Sequence, residues 1–225
     1  MNRRLFFKLA AAGLMLTSAV HAFAADYNTE PGLPSSPSGV VVVELANFYC
    51  SNSRAANDHF NRLREAARAV GQDLRFAPVA WGEQSLWPDR FYYAARNLYP
   101  GTEDLIRDVM FDGLQREGML FETATQVVAY LERRQVLDQA LKVNPKFSLA
   151  DLAEAAAKDD LLLNESKAAR LVMLSAAEDV PIFVWVKDGN VIKTITPRDA
   201  QDVFGLVQLV YREFSQNTKP AASDK

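Results

Sequence analysis

The stretch "NFYCSNSRAAN", Asn47 to Asn57, holds the single cysteine of this 225-residue chain, Cys50. One thiol excludes an intrachain disulfide, and with it any cycle that stores two electrons between a protein's own sulfurs. His21 and His59 are the only histidines. A zinc site built from Cys and His ligands is therefore out of reach, and neither a metal nor another cofactor is expected. A cysteine–histidine hydrolase fails on geometry. Cys50 and His59 are nine residues apart, which on a helix is about 13.5 Å of rise and half a turn off-face. His59 then points away from Cys50, outside the reach a general base requires, and reads as a solvated or locally bonded side chain. Three roles are left for Cys50: intermolecular pairing, a reactive thiol, or a small buried apolar residue.

The elements around Cys50 favour reactivity. "VVVELANFY", Val41 to Tyr49, is β-branched and mostly apolar, the pattern of a strand buried on both faces. After Cys50 the period changes. Ala56, Phe60, Leu63, Ala67 and Val70 recur at steps of four, three, four and three, drawing one apolar helical stripe, with Arg54, Asp58, Arg62 and Glu65 off it and Gly71 as a stop. Cys50 thus stands where a strand hands over to a helix. A helix N-terminus carries about half a positive charge and unsatisfied N–H groups. A free thiol, with a pKa near 8.5, is only about 3% thiolate at pH 7, whereas cysteines at such addresses titrate at roughly 3.5 to 7.5. Ser53, one turn further on, is placed to donate a hydrogen bond to the sulfur.

The rest of the chain supplies the frame. "DLRFAPVAW", Asp73 to Trp81, reads as a second strand. From about Trp87 to Ala177 the pattern is helical: Pro88 opens a helix that "YPG" at Tyr99 closes, Thr102, Thr123 and Ser148 are N-cap candidates, and "NPK" at Asn144 is a break. "PIFVWV", "KDGN" and "VIKTI" form a hairpin turning at Asp188-Gly189. Thr196 and Pro197 then open a final helix with Val203, Val207, Val210 and Phe214 on its apolar face. The fold class is α/β. Residues 40–81 and 178–215 make one unit, interrupted by a helical subdomain at 82–177 and followed by a disordered tail at 216–225. Trp81, Trp87, Phe91, Tyr92 and Tyr93 at the mouth of the insertion read as packing, with an exposed peptide groove as the alternative. "ERR" at Glu132 and "AKDD" at Ala157 are solvated faces.

Residues 1–24 have a basic start (Arg3, Arg4, Lys8), an apolar centre from Leu9 to Val20 and small residues at the end. This is the layout of a cleaved signal peptide, cut near Ala24. Its centre is shorter than the ~20 residues of a membrane span. "NRRLFFK" is similar to a twin-arginine signal with Asn2 in place of Ser or Thr, so the Sec and twin-arginine routes both stay open. The expected location is the periplasm, with no integral membrane segment in the mature chain. The whole chain carries a net charge of −3. Removing a leader with three basic and no acidic residues makes it more negative still, which argues against a nucleic-acid partner.

The leader, the junction "VELANFYC", the helix opening at Cys50 and the late Val180-Pro181 before a hairpin together resemble the DsbA family of periplasmic thiol-disulfide proteins. That family has a thioredoxin fold with a helical insertion. The likeness spans essentially the whole mature chain, although the insertion matches in arrangement and not in motif. It implies that Glu44, six residues before Cys50, is an ionisable group near the sulfur that relays protons. Apart from the resemblance, Glu44 reads as the end of a strand facing a polar gap. The resemblance further implies that Val180-Pro181 is a cis pair facing the sulfur, presenting backbone to an extended substrate. One departure stands out. The family's CxxC is here Cys50-Ser51-Asn52-Ser53, with Ser53 in the place of the resolving cysteine.

A mixed disulfide on Cys50 must then be released by a thiol from outside: the substrate's own, a small thiol, or a redox partner protein. The expected partners are cysteine-containing exported proteins. Two other readings keep the same fold. One is a redox-inactive chaperone or binding partner. The other is a glutathione-dependent isomerase or transferase, as in the kappa-class transferases that resemble this family, and the leader argues against it.

Overall fold

The apolar run after Gly39, interrupted only by Glu44, forms strand β1 (Val40–Ala46), buried along its whole length. The computed structural model describes residues 36–216. The expected signal peptide and nearly all of the expected tail lie outside the described residues. β1 ends three residues before the expected Tyr49, because the Asn47 side chain accepts the Tyr49 N–H at 2.7 Å and curls the chain into a turn. Helix α1 (Ser51–Asn57) follows, then a turn at Asp58–His59, then α2 (Phe60–Ala69). The single expected helix is thus two, yet its stripe survives the break: Ala56, Phe60, Leu63 and Ala67 are all buried. Gly71, at φ +71°, reverses the chain into β2 (Asp73–Pro78).

Beyond β2 come α3 (Trp87–Leu98), α4 (Glu103–Gln115), α5 (Ala124–Arg133), α6 (Val136–Val143), α7 (Leu149–Ala156) and α8 (Leu162–Ser175). Thr123 caps α5 in a reciprocal capping box with Gln126, and Ser148 caps α7 through the Asp151 N–H. Thr102 precedes α4 without capping it, since its hydroxyl donates to the Tyr99 carbonyl instead. The hairpin strands β3 (Ile182–Lys187) and β4 (Asn190–Ile195) turn at Asp188 and Gly189, both at positive φ, the geometry that selects Asp-Gly. The last helix, α9 (Val203–Gln216), begins later than expected. Thr196 and Pro197 open a short 3₁₀ turn, and Asp202 accepts the Gly205 N–H at the α9 start.

The sheet order is β2-β1-β3-β4, with β1 parallel to β2 and antiparallel to β3, and β3 antiparallel to β4. Helices cover both faces of this mixed sheet. On one face Val42, Ala46, Phe76, Phe183 and Trp185 pack against α1, α2, α9 and the helical insertion. Phe76 is the hub, with Phe48, Phe60, Tyr92 and Phe111 ring centroids at 5.1–6.1 Å. Each such pair adds about 0.5–1.5 kcal/mol beyond area burial. On the other face Val41, Val43, Leu45, Ile182 and Val184 pack against Ala168 and Leu171 of α8. α8 therefore covers the sheet, although its sequence falls inside the 82–177 block. The edge strand β2 is protected from α3, where the Tyr92 and Tyr93 hydroxyls donate to the Phe76 and Pro78 carbonyls at 2.9 and 3.2 Å. Among the described residues, no helix is long and apolar enough to cross a membrane.

Candidate functional site

Cys50 is the N-cap of α1, with extended backbone (φ −95°, ψ 123°) and no side-chain cap on the N–H groups of the first turn. The thiol is partly exposed. Its Sγ donates to the Val180 carbonyl at 3.5 Å, and the Val180–Pro181 peptide is cis. Residues 130 positions apart are thereby brought together at one end of the sheet.

The segment carrying Cys50 is held from two sides. Asn47, buried, donates its side-chain amide to the Val79 carbonyl and to Gln84 Oε1, each at 2.7 Å, while its own N–H is taken by Ser53 Oγ at 3.1 Å. From α4, Gln115 Nε2 donates to the Phe48 and Cys50 carbonyls at 2.7 and 2.9 Å. The Tyr49 hydroxyl donates to the Ser85 carbonyl at 3.1 Å. These bonds tie down the backbone of the loop between β1 and α1, and they fix where the sulfur sits. Ser53 is fully buried one turn from the sulfur, but its hydrogen bond goes to the backbone of Asn47. It braces the loop.

Glu44 lies in β1 between Phe76 of β2 and Phe183 of β3. It is fully buried, and neither carboxylate oxygen has a hydrogen-bond partner. Burial pushes its pKa up from 4.5 to about 8, opposed by the positive charge of Arg107. Arg107, on α4, is itself buried over the Phe60 ring at 4.2 Å and paired with Asp104 and Asp108 at 2.8 and 3.1 Å. Those two carboxylates hold the guanidinium, leaving Glu44 with its field and no hydrogen bond. Burial thus favours the protonated form of Glu44 at neutral pH.

His59 lies in the turn between α1 and α2, so the rise along one continuous helix does not apply to it, and its ring packs on α9. It stands at the N-cap position of α2 without a side-chain cap bond and meets the Phe204 ring edge-on at 6.2 Å. Phe91, Tyr92 and Tyr93 are core residues, while Trp81 stays on the surface at 38% exposure. Arg133 and Arg134 pair with Glu117 and lie over the Tyr130 ring, a more ordered face than "ERR" suggests. Asn47, Gln115 and Arg107 carry no sequence signal. Each looks like an ordinary loop or helix-surface residue until the fold gives it partners.

No family model and no curated protein matches this chain. Solved structures do. DsbA of Pseudomonas aeruginosa superposes with a TM-score of 0.59 at 16% identity, covering 84% of this chain and 92% of that one. The oxidoreductase DsbA from Xylella fastidiosa gives 0.56 at 16% identity over 78% and 87%. DsbA of Klebsiella pneumoniae gives 0.54 at 18% identity over 82% and 89%. The chain has the DsbA fold. At these identities the likeness establishes the architecture, a thioredoxin fold with a helical insertion, and the chemistry must be argued from the residues.

Proposed function

We propose that the protein is a periplasmic thiol-disulfide exchange protein that acts through Cys50 alone. The observation that carries this reading is the partly exposed Cys50 sulfur against the Val180 carbonyl of a cis Val180–Pro181 pair, at a helix start without a side-chain cap. The DsbA fold and the leader-like first 24 residues support it. In the step proposed, the Cys50 thiolate attacks one sulfur of a substrate disulfide. The Cys50–substrate S–S bond forms, the original S–S bond breaks, and the displaced thiolate takes up a proton from solvent. No net oxidation occurs.

Ser53 cannot resolve the product. Release comes when a different thiol of the substrate attacks the substrate sulfur of the mixed disulfide, which forms a new substrate disulfide, frees the Cys50 thiolate and amounts to isomerisation, whereas return attack by the displaced thiol only restores the original disulfide. A small thiol or a redox partner protein serves equally. Val180 offers its carbonyl to the N–H of an extended substrate segment, as β-type recognition requires, and Pro181 shapes that edge. Glu44, in β1 six residues before Cys50 and with its pKa raised to about 8, is the group this reading assigns to proton exchange. The substrates are cysteine-containing exported proteins.

Affinity isolation under thiol-blocking conditions tests this, with the wild type beside Cys50→Ala. Proteins released by reductant from the wild type alone support covalent capture. Identical partner sets on both baits would favour the redox-inactive chaperone.

A further inference from the structure

A cavity of about 220 Å³ opens at the end of β2, lined by Val79, Trp81, Leu86 and Ala169 with the carboxylates of Asp89 and Glu165. Asp89 is 1% exposed, and neither of its oxygens has a hydrogen-bond partner, although it sits in the first turn of α3. The backbone at Ala80 favours its charged form, but burial and the nearby Glu165 outweigh this and push its pKa well up. Glu165 is only partly balanced, with Arg90 Nε at 3.6 Å, and Arg90 is not part of the lining. Two carboxylates with too few cations therefore meet in an otherwise mostly apolar recess.

The recess is tied to the loop that carries the thiol. Its Val79 carbonyl accepts from Asn47, its Trp81 N–H donates to the same Gln84 oxygen that Asn47 bonds, and Asp89 raises the pKa of Tyr49, the residue before Cys50. We propose that this cavity is a subsite for a lysine side chain on the polypeptide captured at Cys50. The inference rests on the exchange reading above and names the class of substrate segment it prefers.

The chemistry selects the occupant. An ammonium head brings three donors to carboxylate oxygens that lack them. The four-carbon stem of lysine lies on Val79, Leu86 and Ala169, as long cationic side chains cover apolar surface. Trp81 adds an aromatic face for the cation. The volume is several times the ~30 Å³ of a water molecule. A hard metal ion fits less well, since Ca²⁺ takes six to eight oxygens and the side chains here offer two carboxylates and the Ser166 hydroxyl.

Short peptides with one cysteine, activated as the thionitrobenzoate disulfide, provide the test. Capture by Cys50 forms the peptide–Cys50 disulfide and releases coloured thionitrobenzoate, so its rate is read directly. Lysine is walked through the positions flanking the cysteine, beside isosteric norleucine and beside glutamate. Lysine at one position is expected to speed capture roughly tenfold over norleucine, the scale of one charge-assisted hydrogen bond, with glutamate slowest. In Asp89→Asn and Glu165→Gln the lysine-to-norleucine ratio should fall toward one. A ratio of one at every position in the wild type, with capture still occurring, would overturn the subsite and leave the exchange reading standing.

If no peptide is captured, the exchange reading itself fails. The subsite is then decided by calorimetry on Cys50→Ala, with cysteine replaced by serine in the same peptides. A lysine preference that Asp89→Asn removes supports it, and equal binding of lysine and norleucine rejects it.

Discussion

Replacing Glu44 by glutamine tests the electrostatics of the site in numbers. The carboxyl is fully buried, without a hydrogen bond, and its pKa rises from 4.5 to about 8. Between these values the folded protein keeps a proton that the unfolded chain has lost. Stability from this group is therefore whole below pH 4.5, falls as pH rises, and is fully lost above pH 8. The slope approaches about 1.4 kcal/mol per pH unit, and the total loss is about 5 kcal/mol. Asp89, Glu103 and Glu165 have raised pKa values too and bend the wild-type curve in the same direction. The comparison with Glu44→Gln isolates one group, because glutamine does not titrate. A buried amide lacking partners costs roughly 1–3 kcal/mol at every pH, which displaces the variant's curve without tilting it. Urea unfolding at pH 5, 6, 7 and 8 should show the variant gaining on the wild type by roughly 3 to 4 kcal/mol across the series. A difference constant within about 0.5 kcal/mol would refute the buried, unpartnered carboxyl.

Two further substitutions test how the site is held. Asn47→Ala removes the bonds to Val79, Gln84 and the Tyr49 N–H; unfolding free energy should drop by about 3 kcal/mol, and amide exchange at Phe48 to Cys50 should quicken. Gly113→Ala puts a methyl 2.6 Å from Phe121 Cζ and 2.9 Å from Tyr130 Cε1. Overpacking of about 1–3 kcal/mol outweighs the ~1 kcal/mol that alanine gains in a helix, so the melting temperature should fall where a surface helix glycine would raise it.

The strand–cysteine–helix junction, the apolar stripe from Ala56 to Ala67 and the Asp188-Gly189 hairpin were legible because each follows from local periodicity or from a turn that demands particular residues. What stayed hidden depends on partners far along the chain. α8 carries apolar residues on both faces, with Met173 exposed and Leu171 buried, so no stripe reveals that it covers the sheet. Arg107, between Ile106 and Asp108, looks like a solvated helix residue, yet the rings of Phe60 and Phe76 enclose it. Ser53 was placed correctly along the chain, but the turn at Asn47 that claims its hydroxyl is a tertiary feature. The helix start expected at Pro197 is a capped 3₁₀ turn that ends at Asp199, and α9 begins at Val203, where Asp202 accepts the Gly205 N–H.

The central claim is that the fold makes Cys50 a better nucleophile than a cysteine in an unfolded chain. Since the chain has one thiol, alkylation with iodoacetamide reports on it alone. The folded protein should react faster than the same chain unfolded in urea. A folded protein that reacts more slowly than the unfolded chain would contradict the account.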